Sequence, residues 1–449
     1  MGGIAVIGAG QAGLVLAAAL LRAGRRVTIH SDRTADELLA DRGRPTACLF
    51  GDQVEYEAEL GLDFHPEAYR MRRIHLDLFT ATGGVAFSVD APLRKPALAV
   101  DQRLKFAEGL AELARRGAEV VVGEVTVADL DRLAASHDLV VVAAGCRSLT
   151  GLFERDPTRC AHSRAQRRLF MVNVHGYDME ARPEHRGGVF SFLPGTVEVF
   201  WVPFHDKDVG ESRSVVLEAA PGGPADRFRG VTSADEGVDV LKGLVDDLLP
   251  HESAFLRPAR ATSPVTWIEG EVVPVVRRPV AVLPSGRHVL GLGDAVVLND
   301  PLTGQGANNA TRMARFFAER LTAFDGPYTA SWLTDRFDEW WERGRFASDF
   351  TNGLLAPLRD FQQDVLLAAS RREGIGEQLF EGFNDPSSLF PWFFEEGAAR
   401  EFLARCDVGR LDVLRYKLDV GLRVVGQKLG GWRSGGQGVK RPAARTAGP

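Results

Sequence analysis

The chain is poor in cysteine: four in 449 residues, the scattered Cys48, Cys146, Cys160 and Cys406. So few and so widely spaced, they exclude a disulfide framework and a cysteine zinc site, and they read as packing residues. Long apolar runs are missing as well, since none approaches the roughly 20 residues that span a membrane. The N-terminus enters an apolar strand without the charged region, apolar core and cleavage site of a secretory leader, so the expected location is cytoplasmic. Basic charge is not in excess either. A formal net charge of −6 speaks against a dedicated nucleic-acid binder. The ten histidines form no evident triad or metal cluster, so no metal is expected, and His75, His175 and His205 read as structural. The chain has no internal repeat. What remains is an ordinary globular composition, 45% hydrophobic and 25% charged, too long for one compact core.

What the chain does have is carefully placed glycine. Gly8-Ala-Gly10-Gln11-Ala12-Gly13 follows the apolar run Ile4–Ile7 and precedes Leu14–Ala23, a stretch of strong helix formers. That strand, turn and helix can hold a dinucleotide. Gly8 permits the tight turn, Gly10 lets the backbone approach a phosphate, and Gly13 lets the helix pack on the strand. The helix N-terminus then offers free N–H groups to the pyrophosphate. A second strand, Arg26–His30, ends near Asp32 and Arg33, at about the spacing of a ribose-binding acid, roughly 20 residues past the glycines. Either residue can serve the ribose.

A second glycine loop, Gly293-Asp294 running into Asp300-Pro301-Leu302-Thr303-Gly304-Gln305-Gly306-Ala307-Asn308, follows another short strand and opens a helix with Ala310, Met313, Ala314, Phe317, Ala318 and Leu321 at helical spacing. Asp294 can accept from a ribityl or ribose hydroxyl. Pro301, Gly304 and Gly306 shape a turn able to lie against a flat ring, and the helix starting near Gln305 aims its positive end at that ring. The two loops together suggest FAD.

These residues resemble flavoprotein monooxygenases with a hydroxybenzoate-hydroxylase type of FAD domain, and among them the styrene and indole monooxygenase group. The resemblance covers roughly residues 3–425 and also rests on Ser31-Asp32-Arg33, Ala99–Leu104 with Arg103, Asp138–Gly145 with Ala144, Ser191–Gly195 and Gly270–Pro274. Its most specific segment is Asp300–Asn308. It implies an α/β fold: a Rossmann-like FAD-binding domain in two parts, 1–165 and 281–325, with an antiparallel β-sheet substrate domain inserted at 166–280. A helical C-terminal region, 326–429, and a disordered tail, 430–449, complete the expected organisation. Leu169–Val174, Gly188–Phe192, Val197–Val202 and Ser214–Leu217 read as strands of the inserted sheet. Its pocket candidates are Phe190, Phe192, Phe200 and Trp201, of which about half should face away because side chains alternate along a strand. The C-terminal aromatics, from Trp332 to Phe350 and from Phe380 to Phe402, read as core or interface.

The resemblance further implies oxygen transfer through a C4a-(hydro)peroxyflavin, with FADH2 from a separate flavin reductase, O2 and a small aromatic substrate, and no nucleic-acid or membrane partner. The segment after Gly145 lacks the Asp-Gly pair of single-component relatives, which favours the two-component system. Arg42, Thr46 and Pro301 are the implied catalytic candidates, with Arg42 and Pro301 also at the flavin. One departure stands out: Arg42-Gly43-Arg44-Pro45-Thr46 puts proline where the group has asparagine, and proline offers no side-chain polar group and no N–H. A single-component NAD(P)H-dependent hydroxylase, an alkene reductase and a non-catalytic FAD-binding partner stay open as alternatives, as does a homodimer.

Overall fold

The computed structural model describes residues 3–45, 48–80 and 83–434. Among these, the strands form a six-stranded sheet, an eight-stranded sheet and a two-stranded ribbon. The six-stranded sheet is built on Ile4–Ile7, buried on both faces as a strand between helical layers requires. Ile4 pairs in parallel with Val27 on one side and Leu139 on the other, which sets Val27–Ser31 and Leu139–Val142 beside it. Glu119–Val122 extends one edge, while His288–Gly291 and Val280–Val282 extend the other. Early and late segments of the chain therefore complete one sheet. The helix Gln11–Arg22 is buried continuously from Ala12 to Leu20 and packs against Gln305–Thr322, which brings the two glycine loops together.

The eight-stranded sheet contains the expected strands, as Arg168–His175, Gly188–Leu193, Val197–Asp206 and Gly210–Ala219. It also takes in Met71–Phe79 and Val85–Ala97, a hairpin that lies within the segment 1–165 expected for the cofactor domain. This hairpin joins through Met71–Phe79, which runs parallel to Gly188–Leu193 with Ile74 opposite Gly188. Alternation splits the sheet's two faces. Val197, Val199 and Trp201 pack under the helix Ala234–Leu248 with Leu241 and Val245. Phe190, Phe200 and Phe204 pack on the other side with Val365, Phe380 and Phe383 of the C-terminal helices Asp360–Ala369 and Glu373–Asn384. The last helix runs from Arg410 to Ser434, past the start expected for a tail; the rest of that tail lies outside the described residues. No helix among the described residues is long and apolar enough to cross a membrane.

Candidate active site

The first glycine loop has the packing its chemistry requires. Gly8 sits at φ +109°, and a Cβ there would lie 2.9 Å from the Ala144 backbone nitrogen. A Cβ on Gly13 would meet the Gly8 carbonyl oxygen at 1.9 Å, so helix and strand approach as closely as two backbones can. Around Gly10 a Cβ would meet nothing within 4 Å, and no side chain caps the helix that begins there. An open backbone cradle at an uncapped helix N-terminus suits a pyrophosphate. The cradle opens into a cavity of about 500 Å³ lined by Gly8, Gly10, Asp32, Arg33, Arg42, Arg103, Ala144 and Gly145, within the size range of cofactor sites. These expected residues therefore share one cleft, whose donors and open glycines fit a dinucleotide.

Several side chains in the cleft are already engaged. Arg33 is held by Asp41 and, at 3.4 Å, by Asp32. Asp41 also accepts from the Arg42 backbone N–H and from Arg44, each within 2.8 Å. Burial would raise its carboxyl, but these donors hold it below the ordinary range. Asp41 is thus the organiser of the loop carrying Arg42, and nothing in the local sequence distinguished it. Arg103 lines the cleft and is clasped by Asp101 at 2.6 Å and Asp208 at 2.9 Å, which fixes its guanidinium in the wall. Gln11 donates to Glu57 and Thr311 and accepts from Lys105; only its backbone is left for a phosphate. Arg42 is exposed and makes no ion pair among the described residues. Pro45 is buried, and Thr46 lies outside the described residues.

The second loop is shaped by its own residues. Asp300 caps the short 3-10 turn Pro301–Thr303 by accepting from the Leu302 N–H at 3.1 Å, and Gly304 takes a left-handed φ of 63° before the helix begins. A Cβ on Gly306 would meet nothing within 4 Å, so backbone is what this loop offers a ring. The side chains of Gln305 and Asn308 do not lie free, so it is the backbone of these residues that is left to lie along a ring. Asn308 accepts from Phe50 N–H and donates to the Cys48 and Gly304 carbonyls, while Gln305 donates to the Phe383 carbonyl at 2.9 Å and accepts from Arg312. They fasten the loop to its neighbours. Ala12 packs where a Cβ on Gly293 would come within 2.9 Å, setting the distance between the loops, and Ala307 lines a minor cleft beside Gln11 and Lys105. Asp294 is exposed, yet the surrounding protein raises its carboxyl above the ordinary range, against the pull of Arg277.

Leu302 and Thr303 also line a second cavity, of about 600 Å³, walled by Phe190, Phe192, Phe200, Phe350, Phe380 and Phe383. Of the four pocket candidates, Trp201 alone points the other way, fully buried in the opposite layer. Part of the C-terminal aromatic stripe is therefore cavity wall, while Phe337 and Trp340 are core of the first sheet's layer. Arg167 and Glu198 form a bidentate pair at the cavity's polar end, at 2.9 and 3.0 Å. Of the histidines, His75 lies 3.0 Å from buried Asp77. His205 lies tilted beside His65, whose ring nitrogens sit at Glu67 and Glu108.

Residues 145–254 match the family model described as "Styrene monooxygenase A putative substrate binding domain". The chain is 28% identical over 404 residues to the styrene monooxygenase StyA of Pseudomonas fluorescens, covering 87% of this chain and 94% of the relative. In three dimensions it is similar to a flavoprotein/dehydrogenase from Cytophaga hutchinsonii, with TM-score 0.61, 15% identity, and 90% and 98% of the two chains covered. It is likewise similar to p-nitrophenol 4-monooxygenase from Pseudomonas putida, with TM-score 0.56, 17% identity, and 87% and 96% covered. Over most of its length the chain is thus similar to styrene monooxygenases, and its glycine cradle and backbone-lined second loop fit the flavoprotein fold of its structural neighbours.

Proposed function

We propose that the chain is the oxygenase half of a two-component system, taking FADH2 from a separate flavin reductase and transferring one oxygen atom of O2 to an aromatic alkene or indole-type ring. The observation that carries this reading is the phenylalanine-walled cavity. Its Leu302–Thr303 wall continues directly into the Gly304–Gly306 backbone that would meet a flavin ring. Reduced flavin supplies the electrons that activate O2.

The protein's own contribution is binding, orientation and dryness. Gly10 and the first helix end would hold the pyrophosphate, Asp32 would serve the ribose, and Asp294 would accept from the ribityl chain. The N-terminus of Gln305–Thr322 favours negative charge on the ring. Seven phenylalanines would exclude water and fix an aromatic substrate by its face and edge. No acid–base pair has to act on such a substrate, in keeping with a cavity whose charged groups stand at one end. Arg42, exposed at the cleft, is the cation able to approach the cofactor's polar edge.

Supplying anaerobically reduced FAD and isotopically labelled O2 with styrene or indole should give product carrying one labelled oxygen, and NAD(P)H alone should leave bound FAD oxidised. Bleaching by NAD(P)H would overturn the separate reductase. Complete return of label to water and peroxide, with every aromatic tried, would overturn the oxygenase. Separately, Asp294→Ala should weaken FAD binding about tenfold or more, the worth of a hydrogen bond to a charged group, with an unchanged melting midpoint. Titration of flavin fluorescence checks this, and an unchanged affinity would remove Asp294 from the site.

A further inference from the structure

Behind the polar end of the aromatic cavity lies a group of carboxyls that the chemistry above does not use. Glu218, on Gly210–Ala219, stands directly opposite Glu198 across the antiparallel pair, a placement that is destabilising for two like charges. Asp300, which begins the flavin-side loop, meets Glu218 from the other side, their carboxyls within hydrogen-bonding contact. Glu218 and Asp300 are both fully buried. One Asp300 oxygen accepts from Leu302, but its other oxygen and both oxygens of Glu218 have no donor.

Charge does not balance if all three acids are ionised. The cation facing them is Arg167, whose bidentate fork is spent on Glu198 and whose Nη1 donates to the Gln166 and Leu355 carbonyls. His162, the other titratable group near Asp300, is held toward its neutral form by burial. Two fully buried carboxylates and the half-buried Glu198 against one guanidinium leave two uncompensated charges, a costly arrangement in a protein interior. A proton on one carboxyl removes a charge and supplies the missing donor at once.

We propose that Glu218 and Asp300 share one proton, and that the resulting carboxyl–carboxylate hydrogen bond pins the Asp300–Gly304 loop to the substrate sheet, making Glu218 a positioning residue for the site. The shared proton follows from the burial of the two acids and their missing donors; its service to the site rests on the flavin reading of that loop. Burial first, and Asp300 second, push Glu218 well above the ordinary carboxyl range, and burial raises Asp300 as well. The folded chain therefore binds more protons than the unfolded one between the ordinary carboxyl range and the raised value of Glu218. The latch is fully formed on the acid side and is lost as pH rises through that raised value.

Wild type, Glu218→Gln and the reciprocal Asp300→Asn, each as the full chain, test this. Infrared spectra of wild type at neutral pH should show the carbonyl band of a protonated carboxyl, lost in Glu218→Gln. The melting midpoint of wild type should fall relative to Glu218→Gln as pH rises, because the amide donates to Asp300 at every pH. FAD affinity should follow the same difference. Absence of the band together with parallel melting profiles overturns the shared proton. If one variant does not fold, the wild-type band and the other amide decide the same question. A band and diverging profiles with a pH-independent FAD affinity would keep the proton and overturn the positioning role.

Discussion

Gly10→Ala should abolish or severely weaken FAD binding while leaving the melting midpoint of the apoprotein where it was, and Gly13→Ala should lower both. The two glycines stand three residues apart in one motif but face different neighbours. A methyl at Gly10 projects into space that is open to 4 Å, so the folded protein accommodates it without strain. The same methyl then occupies the ground where a pyrophosphate must touch backbone. At Gly13 the methyl would lie 1.9 Å from the Gly8 carbonyl oxygen, and two backbones must part. Overpacking of this kind costs about 1–3 kcal/mol, and displacement of the helix end carries that cost into the cradle as about tenfold to a hundredfold weaker binding. Calorimetry of the apoproteins and flavin titration separate the two effects. A Gly10→Ala protein that binds FAD like wild type would sink the cradle.

The contrast between these glycines also shows why some of the site could be read in the sequence and some could not. Local rules carry the first motif: an apolar run, a turn that only glycine permits and a helix that starts at once occupy adjacent positions. The same holds for the start of the helix Gln305–Thr322, which Asp300, Pro301 and Gly304 announce. Side-chain partners obey no such rule. Asn308 and Gln305 look like ligands because they are polar and sit in a glycine loop. Their bonds go to Cys48, Phe50 and Phe383, residues that no local spacing connects to them. Arg103 reads as a cation for the cofactor and does line the cleft, but its pairing with Asp208, on the turn after a distant strand, has no local signal. The sheet of the hairpin Met71–Ala97 is hidden for a related reason: its membership in the second sheet depends on a parallel pairing with Gly188–Leu193. Alternation, being local, did succeed in separating Phe200 from Trp201, neighbours that face opposite layers.

Arg182→Met should cost about 3–5 kcal/mol of stability at neutral pH, the usual consequence of stripping the counter-charge from buried acids. Arg182 lies between Asp77 at 2.9 Å and Glu252 at 3.0 Å. Glu252 in turn accepts from Ser191 and lies 2.8 Å from His185, and Ser191 accepts from the indole N–H of Trp201. This network supports one face of the substrate sheet while Phe190 and Phe200, on the other face, form the cavity wall. Burial tends to raise Asp77, but His75, Ser88 and Arg182 together hold it far below the ordinary carboxylate range; Glu252 is lowered as well, by His185 and Arg182. In wild type, then, both acids add stability above their unfolded values and lose it as pH falls through the folded ones. Methionine keeps the bulk of the arginine stem and removes the charge, so both carboxyls lose one of the groups that lower them and move back toward their ordinary range, and the variant has less of this stability to lose on acidification. The difference between wild type and Arg182→Met in urea unfolding should therefore be largest at neutral pH and shrink toward the ordinary carboxylate range. A difference that stays constant across that range would mean that the arginine acts by packing alone, and that Asp77 and Glu252 find their compensation in His75 and His185.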